Sequence, residues 1–331
     1  MPREVSIPAA MPSSGGKWRY ALAQLVLGWL ILLAVTWSEW GQMAHQWFNI
    51  DTYNHILLVP PIIGWLVSLR RDELRRTEPV AWWPAIAGVA AGMAVWLAGR
   101  VSGFNIVAQA GTVFAFQCAV FAFLGLRAGL IAAFPVGFAM FLVPFGDELI
   151  PALQSVTARL AVDLTHLSGV PAIVDGLFID TPAGRFVVAE ECSGVKFLVA
   201  MIALAVLVAW TGFSRWRDRI LFVAGAAAVS ILANGVRAWA TIYAAQYVGI
   251  ERAGGFDHII YGWVFFAVVI AIVLGLAWRH FDRDPAQAGL AAADLDMPVV
   301  ARLEGFAVAP SLAIGGVAAV AMSFAVLARL V

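Results

Sequence analysis

The sequence predicts an all-α polytopic membrane protein. It has about eight core transmembrane helices, one further C-terminal span, and a small extracytoplasmic insert with an amphipathic helix and a β-hairpin. Three observations carry that prediction. Of 331 residues, 62% are hydrophobic and 13% charged, where soluble domains are about half apolar and about a quarter charged. Successive stretches approach the roughly 20 apolar residues needed to cross hydrocarbon about 30 Å thick. Lysine and arginine collect in alternate connections, as the positive-inside rule requires. The formal net charge is zero and no segment is basic enough to suggest nucleic acid, so the lipid bilayer is the first partner.

The expected spans, in order, are Tyr20–Trp37, His55–Leu69, Trp82–Ala98, Ile106–Leu124, Gly129–Phe145, Val195–Thr211, Ile220–Tyr243, Ile259–Trp278 and Pro310–Leu330. The second is short and carries Pro60-Pro61, which predicts a broken or tilted segment whose freed carbonyls need other partners. No small-residue cleavage site follows the first apolar run, which therefore reads as a retained span. With Lys17 and Arg19 in the cytoplasm, the clusters Arg70–Arg76, Arg215–Arg219 and Arg279–Arg283, together with Arg127, all fall inside. Only scattered bases (Arg100, Arg159, Arg185, Lys196, Arg252) fall outside. The resulting organisation is a cytoplasmic tail (1–18), a transmembrane domain (19–280) with an extracytoplasmic insert (146–191), a cytoplasmic linker (281–309) and an additional span (310–331).

Within the insert, Leu149, Leu153, Val156, Leu160 and Leu167 recur at helical spacing among polar residues, predicting a surface amphipathic helix. Downstream, β-branched runs are split by Thr181-Pro182-Ala183-Gly184, turn chemistry that predicts a hairpin. Its last strand leads into Glu190-Glu191-Cys192-Ser193-Gly194 and then a long apolar helix. A thiol at such a helix start, with Ser193 and Gly194 opening the helix, is expected near unpaired N–H groups and a positive dipole end, which favour thiolate.

Two further residues fall at the same membrane face. Arg237 lies in the outer third of its span, where a charge is costly unless paired or wet; it reads as functional or as snorkelling to headgroups. Asn234 is one turn earlier on the same side, placed to orient a guanidinium or substrate carbonyl, or to bond a neighbouring helix. His258 opens the following span as a general acid/base, thiol nucleophiles being usually paired with imidazole, or as a solvated interfacial side chain. Tyr261 is one turn on, and His55 borders the outer mouth of the proline-broken span. Cys118, mid-span, reads as packing. No spacing of His, Cys, Asp or Glu makes a metal site, no glycine-rich phosphate loop occurs, and no cofactor is expected.

At these residues the chain resembles the exosortase/archaeosortase family. The matching pieces are Glu191-Cys192-Ser193-Gly194, Asn234-Gly235-Val236-Arg237, Asp257-His258 through Gly262-Trp263, and Asp51–His55 followed by Leu58–Pro61. They span about residues 45–280. Where the family commonly has Ser-His-Gly, this chain has Asn54-His55-Ile56. The resemblance implies a cysteine peptidase or transpeptidase with Cys192 as nucleophile, Arg237 as orienting cation and His258 as acid/base. It also implies a multi-pass protein of a bacterial inner membrane with a periplasm-facing site, often alongside exopolysaccharide production. The implied substrate is the C-terminal tail of an exported protein: a motif such as Pro-Glu-Pro, a transmembrane helix and a basic cluster. The competing readings are a membrane transporter, in which Arg237, Asn234 and His258 line a pathway, and a glycan-acting enzyme using Glu190, Glu191 and Asp257. The sequence assigns no oligomeric state.

Overall fold

The computed structural model describes residues 14–255 and 262–330. The helices are α1 (Ser14–Val35), α2 (Trp37–Asn49), α3 (Val59–Leu69), α4 (Arg71–Arg75), α5 (Pro84–Ser102), α6 (Asn105–Ile131), α7 (Ala133–Phe138) and α8 (Ile150–Leu167). Three short strands follow, β1 (Ile173–Asp175), β2 (Phe178–Thr181) and β3 (Gly184–Val187), and then α9 (Val195–Gly212), α10 (Trp216–Val248), α11 (Ile250–Gly255), α12 (Gly262–Ala277), α13 (Pro298–Glu304) and α14 (Pro310–Leu330). Among the described residues, eight stretches are long and apolar enough to cross a membrane, and they coincide with eight of the nine expected spans.

The ninth, Gly129–Phe145, is met only in part: Ala133–Leu142 is long and apolar enough only together with Asp147–Leu167, from which it is bent by 65°. Gly125 adopts φ 86° inside α6, and α7 gives way to a 3-10 turn over Ala139–Leu142 and then extended backbone at Val143. The apolar run is therefore cut into pieces of one or two turns. Pro135 and Gly137, both within that run, are poor helix-interior residues.

The chain forms two compact units. One comprises the chain up to His45, Leu58–Val143 and Gly289 onward; the other is Gln46–Leu57 with Pro144–Ala288. In the first unit, α5 and α6 lie backbone against backbone. A Cβ on Gly111 would stand 2.3 Å from the Trp96 nitrogen, and one on Gly99 would stand 2.2 Å from the Ala108 nitrogen. Small residues are what permit such an approach where lipid gives helices little hydrophobic reason to associate. The C-terminal helix belongs to this core: Ala313, Val317 and Ala321 are fully buried in the same cluster as Leu32, Val89 and Trp96. The segment before it is also folded onto this unit. Arg127 pairs with Asp296 (2.7 Å) and Glu304 (2.6 Å), and the Trp82 indole donates to the Leu303 carbonyl.

In the second unit the small sheet packs against α8 and α10, and α9 and α12 pack on α10. On α12, Val264, Val268, Ile272 and Leu276 form an exposed stripe at four-residue spacing, which is a lipid-facing surface. The expected hairpin is present, with Thr181 opposite Gly184. It is extended to three antiparallel strands because Ile173–Asp175 pairs with Phe178–Asp180 across a turn at Gly176. The two-residue strand period buries Ile179 completely and leaves Phe178 exposed.

Candidate active site around Cys192

The strand β3 does not run directly into α9. After Val188 and Ala189, Glu190–Cys192 form a single 3-10 turn, and Gly194, at φ 85°, reverses the chain into the helix. The Cys192 N–H is therefore used within the turn, donating to the Ala189 carbonyl at 2.9 Å, and Ser193 N–H donates to Glu190 at 3.0 Å. The helix start is served separately, the Val195 N–H donating to Ser193 Oγ at 3.3 Å. The expected position against the first turn of α9 is thus corrected: the thiol stands one short turn ahead of the helix. The left-handed Gly194 makes the difference, since a residue with a Cβ would not hold that backbone cheaply.

The turn is held from α10 by Asn234, which is buried. Its amide Nδ2 donates to the Cys192 carbonyl at 2.9 Å and to Thr157 Oγ1 on α8 at 3.0 Å. The Thr157 hydroxyl continues to the Ser193 carbonyl at 3.4 Å. A Cβ on Gly194 would lie 2.5 Å from Asn234 Cγ, so the side chain also packs flat on the glycine. Gln154 on α8 donates to the Val188 carbonyl at 2.8 Å and fixes the approach to the turn. Three buried polar side chains thus satisfy the carbonyls of a non-helical segment, which an apolar setting demands. Of the two roles open to Asn234, the geometry shows bonding to neighbouring elements.

Cys192, Asn234 and Arg237 line a partly open cavity of about 80 Å³, whose other walls include Ile179, Phe186, Val188 and the α10 residues Ala238, Thr241 and Ile242. Cys192 is partly buried there, against the cluster of Ala158, Ala161, Ile179 and Ile242. Arg237 is buried, and its guanidinium lies 5.4 Å from the centre of the Phe197 ring. That ring is stacked on Phe266 of α12 at 4.8 Å. A cation over an aromatic face gains from the ring quadrupole when desolvated, so the charge is stabilised within the protein. The site thus presents a thiol, a planar cation and a mostly apolar wall.

The other expected residues separate. Ser193 is buried in the turn and Glu191 is exposed beside it. His55 lies in a 3-10 helix over Asp51–Leu58, its Nδ1 3.0 Å from its own turn's Thr52 carbonyl; it is not among the residues lining the cavity. His258 and Tyr261 lie outside the described residues. The sequence reading missed Thr157, Gln154 and Thr241. Thr241 was accessible, since Asn234, Ala238 and Thr241 recur at helical spacing on one side of α10. Among the described residues no group of three or more His, Cys, Asp or Glu is placed to hold a metal ion.

These features define a polytopic membrane protein with a thiol and a buried guanidinium facing one small cavity. The sequence profile described as transmembrane exosortase matches residues 47–275, and the chain belongs to that family. No curated protein and no solved structure matches it.

Proposed function

We propose that the protein is a membrane-embedded cysteine peptidase or transpeptidase that removes the C-terminal sorting tail of exported proteins at the outer face of the inner membrane. The observation that supports this most is the shared cavity: Cys192, in the turn before α9, and Arg237, on α10, line one small space. Membership of the exosortase family favours a protein substrate, and the substrate in this reading is a tail made of a short motif, a transmembrane helix and a basic cluster.

In the proposed cycle His258 takes the Cys192 proton, and the thiolate attacks the scissile carbonyl carbon. Arg237 stabilises the oxyanion that forms. The C–N bond then breaks as His258 returns the proton to the leaving amine, leaving a thioacyl enzyme. Water, or the amine of an acceptor, attacks that thioester; the attacking proton passes to His258 and the thiolate is released. An acidic recognition motif suits the same guanidinium, since arginine binds carboxylate through two parallel hydrogen bonds. A cavity of about 80 Å³ has room for a few waters and not for a peptide. A peptide therefore meets the thiol from the open side of this cavity.

The test is processing of a tailed reporter in cells, followed by mobility on a gel, with Cys192→Ala and Cys192→Ser. Loss of the mature form in both variants, at wild-type enzyme levels, supports the reading. Retained processing in both rejects it.

A further inference from the structure

The first unit holds a second and larger cavity that thiol chemistry does not use. It lies between α1, α3, α6 and α7 and measures about 1020 Å³. Its walls are nearly all apolar, built from residues such as Leu22, Leu25, Ile63, Val67 and Val120. Several of the polar side chains on those walls are already engaged. The Trp18 indole donates to the Thr77 carbonyl at 3.1 Å and the Trp29 indole to the Phe116 carbonyl at 3.1 Å. The Gln117 amide donates to the Val136 carbonyl at 2.8 Å. Along its length the cleft therefore suits hydrocarbon.

One end differs. Arg71 and Arg75, four residues apart on α4, both line the cleft there, and both are exposed. Their neighbours are committed: Arg76 pairs with Glu73 at 3.0 Å, and Arg70 donates to the Leu290 carbonyl. Arg75 is 3.9 Å from an exposed Asp72, a pairing of little strength. From Trp18 to Trp29 the lined face of α1 is about 16 Å long, at about 1.5 Å per residue. That is close to one leaflet of a hydrocarbon core about 30 Å thick.

We propose that this cleft holds an anionic phospholipid, its acyl chains along α1 and α3 and its phosphate between Arg71 and Arg75. Basic pockets between transmembrane helices bind anionic headgroups in this way, and guanidinium matches phosphate with paired hydrogen bonds. The sign of the charge selects this occupant over a membrane helix that ends in a basic cluster, which two guanidiniums at the mouth would repel. The proposal is independent of the role given to Cys192.

The experiment uses the full-length protein, delipidated in neutral detergent and titrated under native mass spectrometry. The probes are phosphatidylglycerol and phosphatidylcholine with identical acyl chains. The expected result is one phosphatidylglycerol retained per chain, with affinity at least roughly tenfold above phosphatidylcholine. Arg71→Gln with Arg75→Gln should weaken phosphatidylglycerol roughly thirtyfold and phosphatidylcholine, whose choline cation offsets its phosphate charge, by much less. Gly64→Phe supplies an independent arm. Gly64 lines the cleft and a Cβ there meets nothing within 4 Å, so the ring fills the space without disturbing α3 and should displace both lipids. Equal binding of the two lipids overturns the proposal. So does a double variant that binds phosphatidylglycerol normally, or retention unaffected by Gly64→Phe.

Discussion

Replacing Asn234 by alanine probes the structure most sharply, because one amide nitrogen serves two acceptors at the proposed nucleophile. Its hydrogen bonds to the Cys192 carbonyl and Thr157 Oγ1, at 2.9 and 3.0 Å, contribute about 0.5–1.5 kcal/mol each. Removing the donor also leaves the Cys192 carbonyl unpaired, which costs about 1–3 kcal/mol where water is excluded. The side chain packs on Gly194 as well. The Thr157 hydroxyl can rotate to recover part of its bonding, so the expected destabilisation is about 2–4 kcal/mol. Because the loss is local to the turn that carries the thiol, reporter processing should fall by at least roughly tenfold. Asn234→Asp keeps the volume but presents a carboxylate to a carbonyl oxygen, and should be no better than alanine. The assay pairs thermal unfolding by intrinsic tryptophan fluorescence in detergent with reporter processing in cells. Wild-type stability and processing in both variants would refute the reasoning that this amide holds the turn.

Three further outcomes are expected. Gly194→Ala places a Cβ at φ 85°, 2.5 Å from Asn234 Cγ, and should reduce thermal stability by at least about 1–2 kcal/mol together with processing. Arg237→Lys keeps the charge but loses the planar fork; processing should drop at least roughly tenfold at normal expression, and Arg237→Gln should be no more active. Gly111→Val drives a side chain into the Trp96 backbone and should separate α5 from α6, lowering the yield of folded protein on size-exclusion chromatography without any link to Cys192.

The sequence made most of the spans legible because they are continuous apolar runs with arginine or tryptophan near their ends. The β2–β3 turn was visible through Thr181-Pro182-Ala183-Gly184, and leucine spacing marked the helix α8 but not its packed face, which is built mainly from Gln154, Thr157, Ala158, Ala161 and Thr165 while Val156 and Leu167 are exposed. What sets the site was not visible in the same way. A 3-10 turn between a strand and a helix has no period of its own, so Cys192 reads as a helix start. The bonds of Asn234, Thr157 and Gln154 end on backbone carbonyls far away in the chain, and a carbonyl leaves no mark in sequence. The last span reads as an appendage because it follows a polar segment, yet Ala313, Val317 and Ala321 are fully buried. Their four-residue spacing was a packing signal overshadowed by hydropathy. Arg237 was legible for the opposite reason, being a charge within an apolar helix, and its setting over Phe197 shows how that charge is accommodated.

The most direct test of the central claim is capture of the thioacyl enzyme. Full-length protein is incubated with a tailed substrate, quenched in acid, digested and analysed by mass spectrometry. The acyl fragment of the substrate is expected on the peptide containing Cys192, released by hydroxylamine and absent in Cys192→Ala. Substrate turnover with no such adduct, continuing at the wild-type rate in Cys192→Ala, would contradict it.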